Sequence, residues 1–285
     1  MTEKPPLDNR LDPNAPGPTL DTGSTTAPVA TQKEDHPFYR ELEQSHQQMM
    51  SEMEHSSMDM AKEDARETIA VLLYDGLTLM DAIGPMQSLS TLNDYNVITV
   101  AKNKGEVTSG SGTKIVADYS LEEVTNPYMI VVPGGLFGTV LASKDAEILG
   151  WIRKVDKTTQ YTTSVCTGST ILAAAGVLKG KNASTHWTSK ENLERLGAKY
   201  TGERYTIDGK YITSAGISAG IDMGLMLVGK IKGDDAAKYA QLTMEYNPEP
   251  PYNSGSPKTA DPELVKLVES MSRDYMKAAE TMQGT

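Results

Sequence analysis

The sequence predicts an α/β protein, a mostly parallel sheet sandwiched between helices. Three observations carry this. From Thr68 onward, short apolar runs rich in β-branched residues recur along the chain. The runs are continuous rather than alternating, as expected of strands buried on both faces. Between them lie longer stretches of helical period, the pattern of strand–helix–strand units.

TIAVLLY (68–74) is the first such run. DGLTLMDAIGPMQSLSTL follows as a loop leading into a helix, with Gly84 and Pro85 near its start. NVITVA (96–101) is the second strand, and SGSGTKIVADYS combines turn residues with an alternating segment, the mark of a small hairpin. YMIVVPGG (128–135) is a strand ending in a Pro-Gly-Gly turn, and VLASKDAEILGWIRKV has a helical period. YTTSVCTGSTILAAAGVL gives a strand, a sharp turn and a helix of small residues. In RYTIDGKYITS, Asp208-Gly209 between two alternating runs is a strong hairpin signal. GISAGIDMGLMLVGKI predicts a buried helix opened by glycine, its glycines permitting close packing. Two closing helices follow, the last with Asp261 as N-cap and Pro262 as first residue.

The sequence divides into an acidic arm, 1–66, and a folded domain, 67–285. The arm opens with KPPLDNRLDPNAPGPTLDTGSTTAPVA, which buries too little apolar surface to offset chain entropy. It holds 6 Lys and Arg against 13 Asp and Glu, most of the chain's net charge of −11. A Met/His-rich segment, about 36–62, reads as helical, with Leu42, His46, Met49, Met53 and Met60 on one face. Thioether and imidazole ligands suit Cu(I). An amphipathic docking face explains the same spacing and is the preferred reading.

Composition excludes several classes. No basic patch points to nucleic acid. No apolar run approaches the roughly 18 residues of a membrane span. One cysteine excludes an intrachain disulfide and fits a reducing compartment. MTEKPPLDNR has no apolar core of a secretory signal, so cytoplasm is the expected location. GGLFG does not match a dinucleotide fingerprint, and SGSGTK lacks P-loop spacing.

The single cysteine, Cys166, sits where a strand turns into a helix, the geometry of a nucleophile elbow. The helix N-terminus aims free N–H groups at the sulfur and favours thiolate over thiol. Sites in parallel α/β sheets form outside the carboxyl ends of the strands. The turns at Asp81–Pro85 and Pro133–Gly135 are expected at that same edge. A lone cysteine is otherwise most often a small buried hydrophobe. Asp81 before Gly-Pro would ordinarily be a helix cap or turn former. His186 and Trp187, taken alone, read as structural residues.

LMDAIGP (79–85), VVPGG (131–135), TSVCTGS (163–169), STHW (184–187) and QLTMEYNPEPPYNSGSP (241–257) resemble the ThiJ/PfpI superfamily and, within it, the isonitrile hydratases. The resemblance runs from about Thr68 to about Ala260. It implies a doubly wound sandwich of the class I glutamine amidotransferase-like type, and a homodimer. It implies Cys166 as nucleophile, Asp81 as the acid facing the thiol, and the N–H groups of Gly135 and Thr167 as an anion-stabilising pair. The Thr167 hydroxyl corresponds to an additional hydrogen-bonding group, and His186 to a histidine near the thiol.

Many members of the superfamily carry Glu where this chain has Asp81. The shorter side chain leaves room for a water, which favours hydration. The implied reaction converts an isonitrile to an N-substituted formamide through a thioimidate on Cys166, with Asp81 as general acid/base and no metal or organic cofactor. Two other readings use the same cysteine: an enzyme of glyoxalase, deglycase or amidase type, and a thiol redox sensor. Regulators with a fused DNA-binding module also occur in the superfamily. After Pro257 the chain has too few helices for one.

Overall fold

The structure is a computed structural model that describes residues 37–55 and 66–281. The chain divides into two units, Met1–Met58 and Asp59–Thr285. In the first, the described residues form one helix, α1 (Pro37–His55), within the segment expected to be helical. The Pro/Gly-rich opening, Met60, and the side chains of Met49 and Met53 lie outside the described residues.

The second unit follows the expected alternation. In chain order it contains β1 (Glu67–Leu72), α2 (Leu79–Leu89), β2 (Tyr95–Ala101), β3 (Gly105–Thr108), β4 (Lys114–Ala117), β5 (Tyr119–Ser120), β6 (Met129–Val132), α3 (Leu136–Ala142), α4 (Ala146–Val155) and β7 (Tyr161–Ser164). There follow α5 (Gly168–Ala174), β8 (Asn182–Ala183), α6 (Lys190–Arg195), β9 (Lys199–Tyr200), β10 (Tyr205–Asp208), β11 (Tyr211–Ser214), α7 (Ile217–Lys232), α8 (Asp234–Thr243) and α9 (Pro262–Thr281).

Seven strands form the main sheet in the order β10-β11-β7-β6-β1-β2-β5. All neighbours are parallel except β10 and β11, the hairpin turned at Gly209 with φ 64°. The central strands are buried throughout: Met129–Val132 and Ile69–Leu72 have no exposed surface. This is why they are continuous apolar runs. β3 and β4 pair as a separate hairpin. Among the described residues no helix is long and apolar enough to cross a membrane.

Two details correct the sequence reading. The stretch around VLASKDAEILGWIRKV makes two helices, not one. Asp145 ends the continuity by accepting from the N–H groups of Glu147 (2.9 Å) and Ile148 (3.2 Å), capping α4. Gly84 and Pro85 lie in the middle of α2 rather than near its start. Proline deprives the Asp81 carbonyl of its helical partner, and packing against α7 holds the helix together. A Cβ at Gly224 would stand 2.8 Å from Ser88 Cβ and 3.2 Å from Pro85 Cα. The glycines of α7 thus permit close helix packing, as expected. Asp261 caps α9 as expected, accepting from Glu263 and Leu264 N–H.

Candidate active site

β7, β6 and β1 are adjacent and parallel, so their carboxyl ends share one edge of the sheet. β1 leads to α2 and Asp81, β6 to Pro133-Gly134-Gly135, and β7 to Cys166. The three turns read separately in the sequence therefore meet.

Cys166 has φ 57°, in the left-handed region that side chains rarely adopt. Its N–H is shared between the carbonyls of Ser214 (3.1 Å) and Ala215 (2.8 Å). Its carbonyl accepts from Ser169 Oγ (3.2 Å) and Thr185 Oγ1 (3.1 Å). These bonds hold a conformation that costs energy by itself, and the chain then enters α5 directly. This is the strand–turn–helix geometry expected of an elbow. Two glycines make room for it. A Cβ on Gly168 would collide with the Val132 carbonyl, and one on Gly134 would lie 2.6 Å from Thr167 N and Oγ1.

Asp81 is fully buried in the first turn of α2. It is neither the cap nor a turn residue. Its Oδ2 accepts from the Gly134 N–H at 3.2 Å, and its carboxyl faces the Cys166 thiol. Oδ1 is buried with no hydrogen bond of ordinary geometry to the described residues. Burial raises the carboxyl pKa to about 7, although the thiol and the Gly134 N–H both oppose the rise.

Burial also pushes the Cys166 thiol well above its ordinary range, and the Asp81 charge pushes it further. The Thr167 N–H acts in the opposite direction, as does the Thr167 hydroxyl where it donates to the sulfur. These influences oppose the thiolate expected from the helix N-terminus. α5 has only 7 residues, and burial beside a carboxylate outweighs its N-terminus. Cys166 and Asp81 are coupled, so their protons belong to the pair rather than to either residue.

The Gly135 N–H also differs from expectation. It donates to Thr167 Oγ1 at 3.0 Å rather than facing open space. Thr167 Oγ1 is 2.7 Å from Thr139 Oγ1, which is 3.1 Å from the Tyr74 hydroxyl. Tyr74 in turn donates to the Pro133 carbonyl at 2.8 Å. No feature of the sequence singled out Tyr74 or Thr139, because their roles rest on partners distant in the chain.

A cavity of about 940 Å³ opens onto Cys166 and Thr167. Thr185 and His186 form one wall, and Met271 and Tyr275 of α9 line it too. His186 Nδ1 lies 2.8 Å from Thr188 Oγ1 and accepts from the Thr188 N–H. Burial lowers its pKa, which favours the neutral ring. Among the described residues no hydrogen bond joins it to Cys166 or Asp81. No cluster of three or more His, Cys, Asp or Glu among the described residues could hold a metal ion.

Comparison with known proteins agrees with this geometry. The chain is 40% identical over 197 residues to an isonitrile hydratase from Pseudomonas putida, covering 69% of this chain and 86% of that protein. It is 29% identical over 175 residues to an HTH-type transcriptional regulator, CdhR, of Pseudomonas aeruginosa, and spans about half of that protein's length. Its fold matches a crystal structure of a ThiJ/PfpI family protein from Pseudomonas syringae, with TM-score 0.73 and 36% identity over 81% of this chain and 98% of that one. The DJ-1/PfpI family model matches residues 67–230. With its parallel sheet and its cysteine elbow, the chain belongs to the DJ-1/PfpI family.

Proposed function

We propose that the protein is a cysteine-dependent hydro-lyase that hydrates an isonitrile to an N-substituted formamide. The observation that carries the reading is a buried Asp81, with its pKa near 7, against the Cys166 thiol on its elbow. Similarity to an isonitrile hydratase supports it.

The terminal carbon of an isonitrile accepts both a nucleophile and a proton. Asp81 takes the thiol proton as sulfur attacks, then delivers it to that same carbon. R–N≡C and Cys–SH thereby become the thioimidate R–N=CH–S–Cys. Water then adds to the carbon, Asp81 removing its proton and the nitrogen gaining one. The intermediate R–NH–CH(OH)–S–Cys loses sulfur as the hydroxyl proton returns through Asp81 to Cys166. The products are the formamide R–NH–CHO and free thiol, with water the only co-reactant.

Thr167 contributes its N–H and Gly135 steadies the Thr167 hydroxyl. His186, neutral and bonded to Thr188, shapes the cavity wall. An assay with a panel of isonitriles, following formamide formation, tests the reading. Turnover by the wild type and its loss in Cys166→Ala and Asp81→Asn is the expected result. Activity surviving Cys166→Ala would overturn the covalent route. Consumption of glyoxals without isonitrile turnover would place the protein with the glyoxalase-type enzymes.

A further inference from the structure

The hydroxyl groups behind Cys166 form a chain whose proton direction can be worked out. The Pro133 carbonyl can only accept, so the single Tyr74 hydroxyl proton is committed to it at 2.8 Å. The Tyr74 oxygen therefore accepts from Thr139 at 3.1 Å. With its own proton spent there, Thr139 Oγ1 accepts from Thr167 at 2.7 Å. The Thr167 oxygen accepts from the Gly135 N–H at 3.0 Å. Every donor in the chain then has one acceptor. Any other arrangement leaves two lone pairs facing each other or strips the buried Pro133 carbonyl of its donor.

We propose that Tyr74 and Thr139 are positioning residues that take up the Thr167 hydroxyl proton and turn it away from Cys166 in the resting site. The Thr167 side chain is within reach of the sulfur and favours its ionised form when it donates there. Holding its proton on Thr139 withholds that donor and keeps the sulfur a thiol until the chain reverses. The proposal concerns Cys166 as a reactive thiol. It deepens the reading above, yet its test does not use isonitrile turnover, so either can fail without the other.

The titratable groups facing the sulfur are Asp81 on α2 and Tyr74 after β1, with His186 in the same cavity. Burial raises Tyr74 far above its ordinary range, so it acts as a fixed neutral hydroxyl. His186 is held neutral, leaving Asp81 as the charged neighbour common to every variant.

Cys166 is the chain's single cysteine, so alkylation by iodoacetamide, followed by mass spectrometry across pH, reads one sulfur. The midpoint of the profile reports ionisation, while its plateau reports access. Tyr74→Phe and Thr139→Val both break the chain and free the Thr167 proton. Each is expected to lower the midpoint by about 0.5–1 unit, a roughly three- to tenfold gain in rate below it. Thr139→Ser, which keeps the hydroxyl, should retain the wild-type midpoint. In a Thr167→Val background, Tyr74→Phe should have no effect on it. A midpoint that stays or rises in Tyr74→Phe and Thr139→Val overturns the proposal, as does an equal shift in the Thr167→Val background.

Discussion

Across the carboxyl edge of the sheet the Asp81 carboxylate opposes ionisation of the Cys166 thiol, while the thiol favours the carboxylate. The carboxylate, lying beside the thiol, adds to the burial that already holds the sulfur protonated. Burial likewise holds the carboxyl up to about 7, against the pull of the thiol and the Gly134 N–H. Two charges in this space are unfavourable, so the pair favours the form with a single proton. That proton is the one an addition to an isonitrile carbon requires.

Asp81→Asn separates thiol reactivity from turnover. Removing the carboxylate takes away a charge that raises the thiol pKa, so iodoacetamide should alkylate Cys166 faster at pH 8 than in the wild type. Formamide production should nonetheless fall by about 10²–10⁴-fold, because no group remains to carry protons to and from the carbon. Faster alkylation with unchanged turnover would remove Asp81 from the chemistry. Slower alkylation would contradict the electrostatics of the pair.

The same carboxyl makes stability depend on pH. Its folded pKa of about 7 lies above the unfolded value of 3.8, so the native state binds the extra proton between those limits. The contribution is fully present below about pH 4 and is lost as pH rises through about 7. A shift of about three units corresponds to an upper bound on the order of 4 kcal/mol. Urea denaturation at pH 5 and pH 8 should show the wild type weaker at pH 8 than Asp81→Asn, with the difference shrinking at pH 5. Equal wild-type and variant stabilities at both values would contradict a buried carboxylate.

What could be read in the sequence was what local pattern encodes. The strands around Ile69 and Ile130 announce themselves by apolar continuity, and Cys166 by its place between a strand and small residues. Gly84-Pro85 is a strong breaking signal that points to a turn at Asp81, which instead lies in the first turn of α2. The contacts that keep α2 intact come from Gly224, about 140 residues away. Burial opposes the thiolate that the helix N-terminus favours, and burial is a tertiary property with no local mark in the sequence. Tyr74 and Thr139 left no signal at all. A hydroxyl chain has no periodicity, and its links span 59 to 65 residues between Tyr74 and its partners.

Close backbone approach at the elbow gives a last prediction, a pair of glycine substitutions with opposite signs. At Gly134 a methyl group would stand 2.6 Å from Thr167 N and 2.9 Å from Cys166 Cβ, against atoms that the elbow holds in place. Gly134→Ala should cost about 1–3 kcal/mol by overpacking. It should also displace the N–H that holds Asp81 Oδ2, so activity should fall beyond what the stability loss explains. Gly150 lies within α4, and a Cβ there meets nothing within 4 Å. Gly150→Ala should therefore stabilise the domain by about 0.5–1 kcal/mol through helix propensity, leaving activity unchanged. Thermal melts and formamide assays on both variants check this, and a Gly134→Ala protein with wild-type stability would show that the elbow yields where its packing says it cannot.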